Sequence, residues 1–351
     1  MTTLTFRRIT TQDPATRPRP RQGHASVFHK GCLYVFGGRV QGSGRIYVND
    51  LWKYDPDKNT WEEILAVNPS QVPCKRHNHT CVMGMDDAIY VFGGQTVSNK
   101  YLGDLWRFDL GTQQWSELTQ SQPRHSHGAW KHGNTMLVFG GRTGLKPAVY
   151  SNEVLAYDFE SNKWSTPYSG DDQGRAAAAA GAPHPRSYTS IVKCDEYLVV
   201  FGGYWWDGKE HYFDDTFGFS LTSHKWIKLS PLGNERVPHC RNRHGLLPLP
   251  SVADGGFMSG MVIFGGNFYA NDRGSDKFFG DAWMFGTFVE EPLTSGKWNK
   301  VTLLGDIPCP RGHVAWVEDD QVPGRSWMFG GEAKRERFND LYEVRVEVSA
   351  T

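Results

Sequence analysis

Six times along the chain an apolar run stops at a pair of glycines: LYVFGG ending at Gly38, IYVFGG at Gly94, MLVFGG at Gly141, LVVFGG at Gly203, MVIFGG at Gly266 and SWMFGG at Gly331. The steps between these second glycines are 56, 47, 62, 63 and 65 residues. Self-similarity at this period makes each unit one supersecondary module that needs its neighbours to bury its apolar faces. A run apolar at every position reads as a strand covered on both sides. Two glycines at its end allow a backbone path or close approach that a side chain would block.

More than the glycines recurs. Before each run stands an arginine, followed in every unit but the fourth by a histidine: RQGH from Arg21, RHNH from Arg76, RHSH from Arg124, RSYT from Arg186, RNRH from Arg241 and the shorter RGH from Arg311. After each run comes an acidic-aromatic strand: NDLWKYD, GDLWRFD, NEVLAYD, DDTFGFS, GDAWMFG and NDLYEV. A tryptophan then opens a last strand at Trp61, Trp115, Trp164, Trp226 and Trp298. In DLWKYD the alternation puts Leu51, Lys53 and Asp55 on one face and Trp52 and Tyr54 on the other. The turn-rich DPDKNTW brings the chain straight back. Four short strands per unit follow from this pattern.

These ordered elements, over almost the whole chain, resemble the kelch-repeat family. The resemblance implies an all-β fold: a six-bladed kelch β-propeller with four antiparallel strands per blade around a central channel. The blades are expected at about 16–65, 71–120, 121–168, 183–230, 238–303 and 308–348. The sixth unit lacks a tryptophan-opened strand, and TFRRIT (Thr5–Thr10) matches TWEEIL (Thr60–Leu65), with Phe6 in the place of Trp61. The amino terminus is therefore expected to pair into the last blade, close the ring and remove two open sheet edges.

Composition narrows the function classes. Lys plus Arg and Asp plus Glu are both 38, so no bulk field favours nucleic acid or an acidic membrane. The apolar stretches are strand-sized, too short for a membrane helix or a secretory leader. Six scattered cysteines without a C-x-x-C suit free thiols in a reducing cytoplasm, with the nucleus an open alternative. The chain length leaves no room for an attached BTB, F-box or catalytic domain beside six blades.

The loops after each Gly-Gly and the links between blades share one end of a propeller and are the longer set, which makes that face the candidate for binding. The repeated arginines Arg21, Arg76, Arg124, Arg186, Arg241 and Arg311 start first strands at that end and are expected to ring the channel mouth. Arg39, Arg45, Arg142, Lys146, Arg243 and Arg273 lie in the same links and loops. A guanidinium fork grips carboxylates or phosphates in two bonds, so such a ring suits an anionic group, and the kelch resemblance implies an acidic or carboxylate-terminated segment of a partner protein as that ligand. The competing role is structural, each arginine tying a neighbouring blade through a carboxylate or carbonyl. In the loop YWWDGKEHYFDD, Tyr204, Trp205 and Trp206 follow Gly-Gly where a solvated loop would be polar, and exposed aromatics beside arginine make interface hot spots.

His77 with His79, and His125 with His127, each place two imidazoles on one strand face, but the surrounding arginines oppose a cation, and no metal or cofactor is expected. Kelch-type specifier enzymes bind iron through Glu-x-x-x-Asp-x-x-x-His; Glu210 and Asp214 are present, and Gly218 stands in the histidine place. No nucleophile elbow, phosphate loop or zinc motif occurs. The expectation is a non-enzymatic protein-binding adaptor. The alternative is an epimerase-like enzyme acting on an anionic small molecule such as a sugar acid, with Arg, His and Glu in the channel mouth.

Overall fold

A computed structural model describes residues 2–144, 148–170, 181–231, 236–249, 259–270, 275–287 and 295–348. Lys146 and Arg273 lie outside the described residues. Six antiparallel sheets stand around one axis, and each follows the order the sequence dictates. In the first blade Ala25–His29 pairs with Cys32–Val40, which pairs with Ile46–Asp55, which pairs with Thr60–Ile64. The second repeats this with Thr80–Met83, Ala88–Phe92, Leu105–Asp109 and Gln114–Glu117. The innermost strands, such as Ala25–His29, Gly128–His132 and Ser190–Cys194, line the channel.

The ring closes as expected, with the amino-terminal strand Thr2–Ile9 antiparallel to Leu341–Val348 and Phe6 opposite Val344. That is the register Trp61 takes opposite Tyr54 in the first blade. One addition was not foreseen. Thr302–Gly305 pairs parallel to Thr3–Phe6, so the closing strand is covered on its outer side as well. Ser230–Pro231 does the same on Ser295–Gly296 of the fifth blade.

Packing between blades explains why the repeat carries Phe, Trp and His together. Trp115 sits 4.8 Å from Phe108 of its own blade and 5.2 Å from Phe36, the residue before Gly-Gly in the preceding blade. Trp164 wedges likewise on Tyr157 and Phe92, Trp298 on Phe285 and Phe201, and Trp61 on Tyr54 and Phe329. Phe6 completes the circuit at 5.3 Å from Phe264. The first-strand histidines meet the same phenylalanines edge-on: His79 with Phe36, His127 with Phe92, His244 with Phe201 and His24 with Phe329. Such tilted and edge contacts suit the ring quadrupoles.

The glycine pair has an equally local cause. The second glycine of every pair donates its N–H to the carbonyl of the next blade's arginine: Gly38 to Arg76, Gly94 to Arg124, Gly141 to Arg186, Gly203 to Arg241, Gly266 to Arg311, and Gly331 back to Arg21. Bringing the blades this close leaves no space for a side chain. At Gly93, φ is +65° and an added Cβ would stand 2.7 Å from the Arg124 carbonyl oxygen.

Candidate functional site

The six repeated arginines do not line the mouth. Arg21, Arg76, Arg124, Arg186 and Arg241 have no exposed surface, and Arg311 is 2% exposed. Each drives its guanidinium into its own blade, onto the acid that opens the third strand: Arg21 to Asp50, Arg76 to Asp104, Arg124 to Glu153, Arg186 to Asp215, Arg241 to Asp281 and Arg311 to Asp340. Nη1 of each also donates to the first glycine's carbonyl, at 2.9 Å from Arg21 to Gly37 and 3.0 Å from Arg76 to Gly93. Nε takes the carbonyl two residues upstream, as Arg76 does with Cys74. The indoles of Trp52, Trp106 and Trp283 donate to the same aspartates, while Phe213, Phe279 and Phe338 cover the guanidinium faces of Arg186, Arg241 and Arg311 at 3.9–4.1 Å. Burial pushes the Asp50 and Asp281 carboxyls up, but the hydrogen bonds and charge of Arg21 and Arg241 outweigh it and hold both below the usual range. The expectation that these six arginines grip a ligand is thereby corrected: a guanidinium with its donors spent and its surface sealed has nothing to offer one. The structural alternative holds, though within each blade rather than to its neighbour.

The residue two places after each arginine shapes the axis instead. Gly23, Asn78, Ser126, Tyr188, Arg243 and His313 all adopt φ between +53° and +60°. Their backbones bond one to the next around the channel: Asn78 N–H to Gly23, Ser126 to Asn78, Tyr188 to Ser126, Arg243 to Tyr188 and His313 to Arg243, at 2.7–3.0 Å. A bulky residue in this region is uncommon and costs energy, so Tyr188 and Arg243 are held there by the ring. The left-handed step also separates the paired histidines. His77 and His125 lie above the ring; His79 and His127 lie below it, in a chamber of about 120 Å³ shared with His24 and His244. The two imidazoles of each pair therefore do not share a strand face, which corrects the sequence-based arrangement.

Above the ring, on the face of the Gly-Gly loops, lies an open cup. Over the third to fifth blades it forms a cavity of about 400 Å³ lined by His125, Arg142, Tyr188, Tyr204, Trp206 and Arg243 among others. Arg243 stacks on Tyr188 at 4.4 Å and has a carboxylate oxygen of Glu332 at 3.7 Å. Arg142 lies over Tyr101 and Tyr150 at 6.0 and 5.8 Å and donates Nε to the Gly144 carbonyl. Trp205 folds back between His184 and His211, whereas Trp206 is 43% exposed at the cavity edge. Tyr204 is half-buried, 5.2 Å from Tyr212.

The cup's other side carries Arg39, Arg45, Tyr47 and Arg337. Arg45 donates to Asn99 and Arg337 to Gln41. Arg39 and Arg337 each cover Nε without a hydrogen-bond partner and make no ion pair among the described residues; Arg39, half-buried, also lacks the side-chain bond that Arg337 makes to Gln41. The local field is positive. Burial above all, then Arg39, Arg243 and Arg45 against the hydrogen bond that His77 donates to the Gln95 amide oxygen, brings His77 down to about 4. Burial, His77, Arg142 and Arg243 bring His125 to about 3. Both imidazoles are neutral at physiological pH, so the charge of the cup is that of its arginines against Glu332 and Glu210. Of these, Arg39, Arg142 and Arg243 were legible as loop and link residues; Arg337 was missed, although it follows the sixth Gly-Gly by six positions and matches Arg45 of the first blade in lying in that loop.

Fold and site together define a β-propeller with a sealed structural arginine in every blade and a basic, tyrosine-rich mouth on one face. The chain belongs to the kelch-repeat family: the KLHDC2/KLHL20/DRC7 Kelch-repeats domain matches residues 1–120 and 66–249. It is similar to Kelch domain-containing protein 3 of Bos taurus, 25% identical over 309 residues, 83% of this chain and 73% of that protein. It is also similar to Kelch domain-containing protein 10 of Xenopus tropicalis, 29% identical over 237 residues, 64% of this chain and 53% of the other. A third relative, the leucine-zipper-like transcriptional regulator 1 homolog of Drosophila melanogaster, is 26% identical over 94% of this chain, which spans 33% of its length.

Proposed function

We propose that this propeller is a protein-interaction module whose upper cup holds an acidic or carboxylate-terminated segment of a partner protein. The observation that carries the reading is Arg39, a half-buried guanidinium without the carboxylate that each sealed arginine has. Its covered Nε lacks an acceptor, and an incoming carboxylate would supply one. Tyrosine rings, the exposed indole of Trp206 and the width of the cup suit a peptide, since aromatic and arginine side chains are the usual anchors of such contacts. The proposal extends to a non-enzymatic adaptor acting in the cytoplasm.

The test is display of random peptides with free carboxyl termini against the intact chain. Enriched peptides should be acidic or dependent on the free terminus, and Arg39→Ala with Arg243→Ala should abolish their capture while thermal unfolding stays within a few degrees. Capture indifferent to both amidation and loss of acidic side chains would overturn the proposal. One contact favours the enzymatic alternative: Glu332 lies 3.8 Å from His313 at the ring. Turnover of sugar acids by the pure chain, lost in Glu332→Gln, would support that reading instead.

A further inference from the structure

The channel below the ring opens at the opposite face into a cavity of about 700 Å³, walled by the innermost strands. Pockets of roughly 300–1,000 Å³ enclose most of a small ligand. Its wall is mainly apolar, with Val27, Val82, Trp130, Ile191 and Leu247 among the lining residues, and its inner end meets His24, His79 and His127. One carboxylate stands in this wall untied. Asp319 is spent on Arg325 and the Trp327 indole, and Asp320 accepts the backbone N–H groups of Lys30 and Gly31. Those bonds tie the inserted turn of the sixth blade to the neighbouring turn of the first, with Glu318 beside it in the channel wall. Glu318 itself has no hydrogen-bond or ion-pair partner among the described residues; it is open to the channel's water, yet the walls around it push its carboxyl up to about 7. The facing wall, from the third blade, carries Lys131, which also lacks an ion-pair partner among the described residues.

We propose that the lower channel is a second binding site, separate from the upper cup, for a small apolar organic amine whose ammonium pairs with Glu318 while its carbon skeleton lies against Val27, Val82 and Trp130. The pair forms at a carboxylate that has no partner among the described residues and stands beside an apolar wall, so little else competes for the ammonium. The hydrocarbon adds the transfer energy of apolar surface leaving water. Glu318 sets the sign of the ligand, and the blind, apolar channel sets its size.

The experiment is calorimetric titration of the intact chain with octylamine, octan-1-ol and octanoate at about pH 8, where Glu318 is ionised and the amine still charged. Octylamine should bind about tenfold tighter than octanol, with octanoate weakest. Glu318→Gln, which breaks no hydrogen bond among the described residues, should bring the amine down to the alcohol's affinity. Lys131→Met should keep the preference, and so should Arg39→Ala with Arg243→Ala, which separates this site from the cup. Equal binding of amine and alcohol by the unmodified chain would overturn the proposal, as would a preference for amine surviving in Glu318→Gln. Tightest binding by octanoate would also overturn it and make Lys131 the anchor.

Discussion

Arg76 donates from Nη2 to Asp104 Oδ2 across 2.7 Å, in a blade where the arginine side chain has no exposed surface and the aspartate 14%. Removing one member of a buried ion pair leaves the other charge uncompensated, at about 3–5 kcal/mol. Arg76→Ala should therefore lower the midpoint of thermal unfolding by many degrees, and Arg76→Lys should rescue little, because a lysine cannot reproduce the fork between Asp104 and Gly93. Differential scanning calorimetry of the two variants checks this. An unchanged midpoint would return these arginines to the ligand-binding surface.

Gly93 offers a test of how tightly the blades are set. Alanine there must adopt positive φ, roughly 1–2 kcal/mol, and press its Cβ against the Arg124 carbonyl. Gly93→Ala should be clearly less stable in urea, whereas Gly133→Ala, also at positive φ but with open space around the added Cβ, should lose only the backbone part.

Ring closure rests on Phe6 and Leu4, at 1% and 0% exposure in the sixth blade. Phe6→Ala should cost about 3–5 kcal/mol. Deleting residues 1–10 should cost more and bare the edge of Leu341–Val348, giving a lower thermal midpoint and self-association in size-exclusion chromatography.

The imidazoles below the ring make the fold acid-sensitive. Burial first, then Arg21, lowers His24 to about 3; burial and Arg241 bring His244 to about 3; burial and Arg76 put His79 well below its ordinary value. In the unfolded chain these groups titrate near 6.5. As pH falls below that value the unfolded state takes up protons that the folded state refuses, so stability is lost with acid. Urea midpoints should fall between about pH 6.5 and 4.5, above the range where the paired aspartates protonate, and His244→Asn should flatten that slope.

The propeller was legible because each of its causes lies within one repeat. Trp61, Phe36 and the glycine pairs recur since every blade faces the same neighbour, and Phe6 in a tryptophan's place was enough to locate the missing strand. The partner of the repeated arginine was also written in the chain: Asp50, Glu153, Asp215 and Asp340 each follow their arginine by 29 residues, and Asp104 by 28. The fifth pair, Arg241 with Asp281, stands 40 residues apart because a longer segment separates its strands. The left-handed step had no such signal, because its position holds Gly23, Asn78, Ser126, Tyr188, Arg243 and His313 in turn, and only glycine and asparagine among these favour that backbone hand.

The sequence alone determined six blades, their strand order and the closure of the ring, since hydrogen-bond ladders and alternating apolar faces are properties of neighbouring residues. Which arginines are sealed and which stand open was decided only by tertiary structure. Desolvation depends on every chain segment brought near a side chain: Arg76 and Arg39 are the same chemical group, one enclosed with its carboxylate and the other held at the rim without one.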